Sequence, residues 1–202
     1  MAENKKNIEK DTPMRKLVLF MHISLDGFAA DPNRGLDFLT YDKELEQWAD
    51  EVVKTVGSPV YGRTTYQLME SYWPTVLKKP DAAGHALEHA QWVENVPKIV
   101  FSKTLTEVTW NNTRLIKDNI GEEVKKLKQQ PGKDLVIFGS PGLAASFMNL
   151  GLIDEYRLTV HPIILGKGIS VFTNNTTKST LKFLDSKTLK SGVVTLHYTT
   201  TH

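Results

Sequence analysis

The sequence of 202 residues contains no cysteine, and this absence removes several kinds of chemistry. Disulfide bonds, thiolate catalysis and cysteine-ligated zinc or iron–sulfur clusters are all excluded. A chain without cysteine also suits a reducing compartment, so we expect a cytoplasmic protein.

Long apolar runs and an excess of one charge are missing as well. No run approaches the roughly 20 apolar residues that a membrane-spanning helix needs, so the sequence predicts no membrane segment. The formal net charge is only +2, which gives no reason to expect nucleic acid as a partner. The first 13 residues are polar and lack the apolar core of a signal peptide, so we expect a disordered lead-in at 1–13. Residues 14–202 have the length of a single domain.

Strand and helix patterns alternate along most of the chain. Strands are predicted at 16–24, 59–62, 98–102, 113–116, 135–138, 154–165 and 193–200, and helices at 42–56, 63–70, 120–129 and 143–150. Residues 71–84 contain Pro74 and Pro80, and we expect a loop there. Alternation of this kind predicts a largely parallel sheet covered by helices. The last two long strands have no helix between them, so we expect them to pair antiparallel at one edge.

The most informative segment is 136–147, where an apolar strand ends at Gly139 and a helix opens directly behind it. A helix N-terminus presents free N–H groups and a partial positive charge, and phosphates bind there. Pro141 suits the first helical turn, and Gly139 and Gly142 let a phosphate approach the backbone. The segment matches neither the dinucleotide fingerprint nor the Walker A loop, so a simple tight turn is the alternative.

Two further strand ends carry polar residues. Gly62 is followed by Arg63, Thr64 and Thr65, which can bind a phosphate, although a capped helix with a surface arginine is the alternative. Ser102 and Lys103 follow the strand at 98–102. Ligands of an open parallel sheet bind at the carboxyl ends of its strands, so three such junctions together favour a nucleotide site.

These segments resemble the dihydrofolate reductase-like superfamily, and within it the reductase domain of the bifunctional riboflavin-biosynthesis deaminase–reductase. The matching motifs occur in family order at 24–30, 61–66, 138–142, 152–158 and 161–168, and the resemblance covers about 14–200. It implies a three-layer α/β fold of the dihydrofolate reductase type, with a mostly parallel central sheet, antiparallel C-terminal edge strands and helices on both faces.

The resemblance also implies a reductase that uses NADPH and acts on a small heterocyclic substrate, similar to 5-amino-6-(5-phosphoribosylamino)uracil reductase. It places Arg63 near the 2′-phosphate of the cofactor. The cofactor-binding residues that it implies are Ala30, Gly62, Arg63, Thr64, Thr65, Ser102, Lys103, Phe138, Gly139, Ser140, Pro141, Gly142, Leu143 and Ala144. Members of the riboflavin branch pair through the edge near their final strands, which implies a homodimer.

Asp26 is the implied catalytic residue, because it follows the first strand in the Ser-Leu-Asp-Gly motif. The implied substrate-binding residues are Ser24, Asp26, Phe28 and Phe38. The alternative is that Asp26 only binds the backbone of an Asp-Gly turn. The family commonly has a basic residue after this turn where this chain has Phe28, so another heterocycle, a pteridine such as dihydrofolate, or a carbonyl compound is an alternative substrate. A non-catalytic nucleotide-binding protein is the alternative from a different class.

The histidines indicate structure more than chemistry. His22 and His161 lie within predicted strands, where a buried and hydrogen-bonded histidine is expected. His85 and His89 are four residues apart and could share a helix face, but no third ligand accompanies them. We therefore predict no metal site.

Overall fold

The computed structural model describes residues 14–172 and 176–201, so the predicted lead-in at 1–13 lies outside the described residues. The strands are β1 (Leu17–Ser24), β2 (Phe28–Ala30), β3 (Val56–Gly62), β4 (Lys98–Phe101), β5 (Thr113–Ile116), β6 (Asp134–Phe138), β7 (Glu155–His161), β8 (Ile169–Ser170), β9 (Leu181–Thr188) and β10 (Val194–Thr200). The helices are α1 (Lys43–Val53), α2 (Arg63–Val76), α3 (Gly84–Asn95), α4 (Ile120–Lys128) and α5 (Pro141–Asn149). No helix of the described residues is long and apolar enough to cross a membrane.

The central sheet has eight strands in the order β5-β4-β3-β6-β1-β7-β10-β9. The strands from β5 to β7 pair in parallel, whereas β10 pairs antiparallel with both β7 and β9. This architecture confirms the predicted fold class. A separate two-stranded sheet joins β2 to β8.

Helices cover both faces of the parallel strands. On β1, Leu19 and Met21 belong to the core that α4 and α5 close, whereas Val18 and Phe20 pack with residues of α1. A strand buried on both faces reads as a continuous apolar run, which is why 17–21 shows no alternation. Because the strands from β5 to β7 are parallel, their carboxyl ends meet at one edge of the sheet.

The C-terminal strands differ from prediction in two respects. β7 ends at His161 rather than at 165, because Pro162 has no N–H with which to continue the ladder. The predicted antiparallel pairing of β7 with the final strand is confirmed, but β9 forms the outer edge. The sequence did not indicate β9, because its residues are mostly exposed and show no alternation of apolar and polar side chains.

The expectation of a loop over 71–84 was wrong. Helix α2 continues through Pro74 to Val76, and α3 already begins at Gly84. Pro74 lies in the last turn of α2, and the helix ends two residues after it, so only one hydrogen bond near the C-terminus is lost to its missing N–H. The prediction gave Pro74 too much weight because it could not see that Trp73 and Val76 pack inward.

Candidate functional site

A cleft of about 560 Å³ lies at the carboxyl edge of the sheet, between the N-terminal ends of α2 and α5. This volume is within the usual range for small-molecule sites. The cleft is lined by Met21, Ala29, Ala30, Arg34, Leu36, Gly62, Arg63, Thr64, Thr65, Leu68, Met69, Phe101, Gly139, Ser140, Pro141, Gly142, Leu143, Ser146 and Ile169.

Two helices begin at the cleft without a side-chain cap. Gly62 precedes α2 and has no side chain to offer, and Ser140 precedes α5 but makes no capping hydrogen bond to it. The first N–H groups of an α-helix have no partner within the helix, and each N-terminus carries a partial positive charge. The cleft therefore presents two sets of backbone donors to an anionic ligand.

One hydrogen bond ties the two helix N-termini together. The Gly62 N–H donates to Ser140 Oγ over 3.0 Å. Ser140 adopts a left-handed conformation with φ of 54°, directly after Gly139 with φ of 58°. A left-handed conformation is unfavourable for serine, and in this conformation Ser140 accepts the hydrogen bond from Gly62. It turns the Ser140 hydroxyl away from its own helix and towards α2.

Close packing holds the same region. A Cβ atom on Gly62 would lie 3.5 Å from Leu143 Cβ and 3.8 Å from Ser140 Cβ, so the backbones of the two junctions nearly touch. The start of α2 therefore packs directly on the start of α5.

The charged groups of the described cleft lining are all positive. They are Arg34 and Arg63, and no carboxylate lines this part of the cleft. Sequence reasoning missed Arg34. Its turn is held by Asp31 Oδ1, which accepts hydrogen bonds from the N–H groups of Asn33 and Gly35 at 2.7 and 2.8 Å. The Asp-Pro-Asn-Arg-Gly pattern at 31–35 is a turn signal that could have drawn attention to it.

Most of the predicted cofactor residues come together in this cleft. Those that line it are Ala30, Gly62, Arg63, Thr64, Thr65, Gly139, Ser140, Pro141, Gly142 and Leu143. The structure places the other four outside the lining, so their contact with a cofactor stays a prediction.

These four residues are Ser102, Lys103, Phe138 and Ala144. Ser102 Oγ accepts hydrogen bonds from the N–H groups of Thr104 and Leu105, which leaves exposed Lys103 in the turn between them. The Phe138 ring packs against that of Phe20, and Ala144 is fully buried beneath the helix. At the end of β4 it is Phe101 that reaches the cleft.

Asp26 joins the first turn of the chain to a distant loop. Its carboxylate accepts hydrogen bonds from the Gly166 N–H at 2.7 Å, from the Leu165 N–H at 3.1 Å and from Ser24 Oγ at 2.7 Å. The bond from Ser24, followed by those from the two N–H groups, lowers the pKa of Asp26 below its ordinary value. At neutral pH the carboxylate is therefore ionised, so it accepts hydrogen bonds and has no proton to donate.

The loop that Asp26 holds closes one side of the cleft. Phe28 pairs with Ser170 in the small sheet, and Ile169 and Ala30 line the cleft from its two strands. A Cβ atom on Gly168 would lie 2.3 Å from the Ala30 carbonyl oxygen, so only glycine fits this approach. Asp26 thereby positions β8 against β2 at the end of the cleft.

A group of rings lies on the opposite face of β1. We call it the aromatic wall and define it as Phe20, Trp48, Trp92 and Phe138. Phe20 stacks on Trp48 with ring centroids 5.3 Å apart and contacts Phe138 at 5.4 Å, and Phe138 meets Trp92 at 6.1 Å. Trp48, Trp92 and Phe138 are partly exposed. The wall offers flat apolar surface beside the carboxyl end of β1.

The predicted substrate residue Phe38 belongs to this side of the molecule. Its ring meets that of His161 edge-on at 5.8 Å. The loop that carries Phe38 also supplies Arg34 and Leu36 to the cleft, so one segment borders both the cleft and the opposite face. His161 is fully buried, which confirms the expectation for that residue.

The histidine pair of α3 has partners other than a metal ion. His85 Nδ1 lies 3.0 Å from Asp50 Oδ1, and the His89 ring lies 4.3 Å from that of Trp73. Burial lowers the pKa of His89 to about 4, with His85 adding to the effect. Among residues 14–172 and 176–201 there is no group of three His, Asp or Glu side chains that could hold a metal ion.

Comparison with known proteins identifies relatives along the whole chain. The family model described as the RibD C-terminal domain matches residues 15–195. The Bacillus subtilis protein YyaP is 36% identical over 186 residues, which cover 91% of this chain and 94% of YyaP. The match thus includes both junctions of the cleft.

Solved structures show the same fold. A protein named for riboflavin biosynthesis from Shewanella sp. PV-4 has a TM-score of 0.74 at 23% identity, covering 93% of this chain and 99% of its own. The deaminase/5-amino-6-(5-phosphoribosylamino)uracil reductase of Thermotoga maritima has a TM-score of 0.66 at 15% identity, covering 93% and 57%. Dihydrofolate reductase from Enterococcus faecalis, solved with NADP(H), has a TM-score of 0.57 at 13% identity, covering 93% and 97%.

The link between the two helix N-termini leads to a first prediction. Ser140→Ala leaves the Gly62 N–H without its acceptor, so the free energy of unfolding should fall by about 1 kcal/mol. Because the two junctions then lose their common alignment, NADPH should also raise the melting temperature less than it does in the wild type. Urea denaturation and thermal melts with and without NADPH measure the two effects.

The control is Ser71→Ala, which removes an exposed hydroxyl that bonds only to the Leu68 carbonyl within α2. This variant should match the wild type in both measurements. If Ser140→Ala also matches the wild type, the hydrogen bond does not align the cleft.

Proposed function

The chain belongs to the RibD C-terminal domain family, and we propose that it is a cytoplasmic NADPH-dependent reductase of a small heterocyclic substrate. One observation carries the proposal: two uncapped helix N-termini and two arginines face one cleft whose described lining has no carboxylate. A dinucleotide with an additional 2′-phosphate has the negative charges that this arrangement complements.

The residues of the cleft fit the parts of NADPH in order. The N-terminus of α5, with Gly139 and Gly142, would hold the pyrophosphate. Arg63 and the N-terminus of α2 would bind the 2′-phosphate, and Arg34 is a second cation on the other side. A carboxylate that binds the ribose 2′-hydroxyl is typical of sites for NADH, and the lack of one in the described lining supports NADPH.

NADPH supplies hydride, and the work left to the protein is positioning and the exclusion of water. Ala29, Ala30 and Ile169 close the end of the cleft beside β1 with apolar groups. The aromatic wall lies across the same strand and offers a surface for a flat heterocycle. Hydride transfer needs about 3–3.5 Å between the reacting carbons, so we propose that the substrate extends from the wall past the end of β1, where its C=N or C=O carbon is reduced.

The substrate need not be the phosphoribosylaminouracil of the riboflavin pathway. Phe28 stands where the resemblance to the family leads us to expect a basic residue that would bind the phosphate of that substrate. A pteridine or a carbonyl compound therefore remains the second candidate substrate. The alternative of a nucleotide-binding protein without catalysis would keep the cleft and show no turnover.

The central experiment measures the affinity of Arg63→Ala for two cofactors. If Arg63 binds the 2′-phosphate, the variant should bind NADPH at least about tenfold more weakly, whereas the affinity for NADH should change little. Cofactor fluorescence gives both dissociation constants, and an oxidation assay with pterins, pyrimidinediones and aldehydes follows turnover.

Arg114→Ala is the matched control, because Arg114 lies on β5 and pairs with Glu123. Equal losses for NADPH and NADH in Arg63→Ala would show that this arginine does not contact the 2′-phosphate. Tight NADPH binding without turnover on any substrate would favour the non-catalytic protein, and a lack of binding would exclude both functions.

We propose that Asp26 acts through the loop that it holds. In Asp26→Asn an amide N–H₂ replaces one acceptor oxygen and faces the N–H of Gly166 or Leu165, so the loop at 165–170 should shift. Turnover should fall about tenfold or more, because small displacements at a reacting centre are costly, while the NADPH dissociation constant should change little. Asp37→Asn, an exposed acid of the neighbouring loop, is the control. An unchanged rate in Asp26→Asn would remove Asp26 from the site.

We also propose that two copies pair along β9. This edge strand exposes Phe183 and Leu184, which are 55% and 43% accessible. Association of two copies along this edge would remove both apolar side chains from water. Sedimentation velocity should give the mass of a dimer, and Phe183→Lys should give a monomer. A wild-type monomer at all concentrations would contradict the pairing.

A further inference from the structure

The partly exposed His22 and the buried Thr159 and His161 form a series of hydrogen bonds beside the aromatic wall. His22 Nδ1 lies 2.5 Å from Thr159 Oγ1, and Thr159 Oγ1 lies 3.3 Å from His161 Nε2. At the far end, the Thr40 N–H donates to His161 Nδ1 over 3.2 Å. The parallel pairing of β1 with β7 places His22 directly beside Thr159, so the sheet itself brings the three groups together.

The hydrogen bond from the Thr40 backbone fixes which atom donates in each of the other two hydrogen bonds. Because the Thr40 N–H donates to His161 Nδ1, a neutral His161 carries its proton on Nε2 and donates to Thr159 Oγ1. The Thr159 hydroxyl is fully buried and has no acceptor other than His22 Nδ1 among the described residues. Leaving the buried hydroxyl proton of Thr159 without an acceptor is costly, so this hydroxyl donates its hydrogen bond to His22 Nδ1. The proton of His22 is therefore on Nε2.

The Nε2 end of His22 has no acceptor among the residues that the structure describes. The ring is crowded by Phe20 at 5.1 Å and by Tyr41 at 6.5 Å, yet part of its surface stays exposed. Its neighbour along β1, Met21, lines the cofactor cleft. His22 therefore faces the other side of the sheet from the cleft, which is the side of the aromatic wall.

From this geometry we propose that His22 Nε2–H is a fixed donor that selects a planar heterocycle with a carbonyl oxygen or ring nitrogen, with Thr159 and His161 as positioning residues. The inference rests on the proposed function in assuming that this heterocycle is the molecule to be reduced. The aromatic wall would contact the flat face of the ring, and His22 would bind one acceptor atom on its edge. A molecule of the same shape without that acceptor would leave the N–H unpaired and bind more weakly.

His22 binds the substrate in this proposal and does not deliver a proton. Burial lowers the pKa of His22 to about 3, with His161 adding to the effect, and burial lowers that of His161 as well. Loss of a proton from neutral His22 would pass a negative charge through Thr159 to His161, whose one further hydrogen-bond partner among the described residues is the backbone N–H of Thr40. That end supplies no proton, so the series of hydrogen bonds supports a neutral donor.

The first experiment determines the tautomer directly. Long-range ¹H–¹⁵N NMR spectra of the histidine rings should show His22 as the Nε2–H form from pH 5 to 8 in the wild type. In Thr159→Val the hydroxyl is lost and the spectra should show a mixture of tautomers. The control is Thr195→Val, because Thr195 is the buried cross-strand neighbour of Thr159 and contacts neither histidine. Its spectra should match those of the wild type.

The second experiment uses lumazine, a flat pteridinedione with several acceptor atoms, as the probe. Quenching of tryptophan fluorescence reports binding, and its loss in Trp48→Phe assigns the signal to Trp48 of the aromatic wall rather than to the other three tryptophans. His22→Phe keeps a ring but no donor, and it should bind lumazine at least about tenfold more weakly, whereas His22→Gln should recover part of the loss. Thr159→Val should lose about threefold and Thr195→Val nothing. NADPH affinity should be the same in all variants.

The outcomes separate this inference from the proposed function. A wild-type His22 in the Nδ1–H form, lumazine binding that is equal in His22→Phe, or no lumazine binding to the wild type would each overturn the role of His22. If NADPH binds in those cases, the reductase proposal stands. If lumazine binds as expected and NADPH does not, the cofactor proposal fails and the role of His22 as a donor stands.

Discussion

The hydrogen bond from the Gly62 N–H to Ser140 Oγ is the contact on which the cleft depends. It joins the starts of α2 and α5, which follow two adjacent parallel strands, β3 and β6. Because the Ser140 hydroxyl bonds to Gly62 at the start of α2, it does not cap α5, and the first turn of α5 keeps its own N–H groups open to the cleft. The same bond therefore joins two helix N-termini that both lack a side-chain cap, α2 because Gly62 has no side chain, and this arrangement suits an extended anionic cofactor.

The rest of the site is arranged around β1. Met21 faces the cleft and His22 faces the opposite side, because neighbouring residues of a strand alternate between its faces. Asp26, just beyond the strand, holds the loop at 165–166 and so closes the end of the cleft. The proposed cofactor and substrate sites thus lie on the two faces of one strand, so the reacting atoms would have to meet beyond its end, at a distance of about 3–3.5 Å.

Sequence reasoning predicted much of the fold, because the local signals are strong. The apolar run of β1 and the glycines at 139 and 142 mark the central strand and the junction that opens α5. Prediction failed where local signals were weak or misleading: β9 has no alternation to detect, and Pro74 indicated a loop because the inward packing of Trp73 is not visible locally. Arg34 was missed, since a turn pattern alone does not say what the turn faces.

The sequence by itself determined the class of fold, because strand periodicity and helix starts are encoded locally, and the resemblance of its motifs indicated the family and ten of the residues that line the cleft. Only the tertiary structure decided what the polar side chains do. Asp26 binds backbone N–H groups 139 and 140 residues away, Ser140 reaches Gly62, and His22 meets Thr159 and His161 across a pair of parallel strands. Such partners are distant in the chain, and hydrogen bonds depend on distance and direction that only the folded sheet sets.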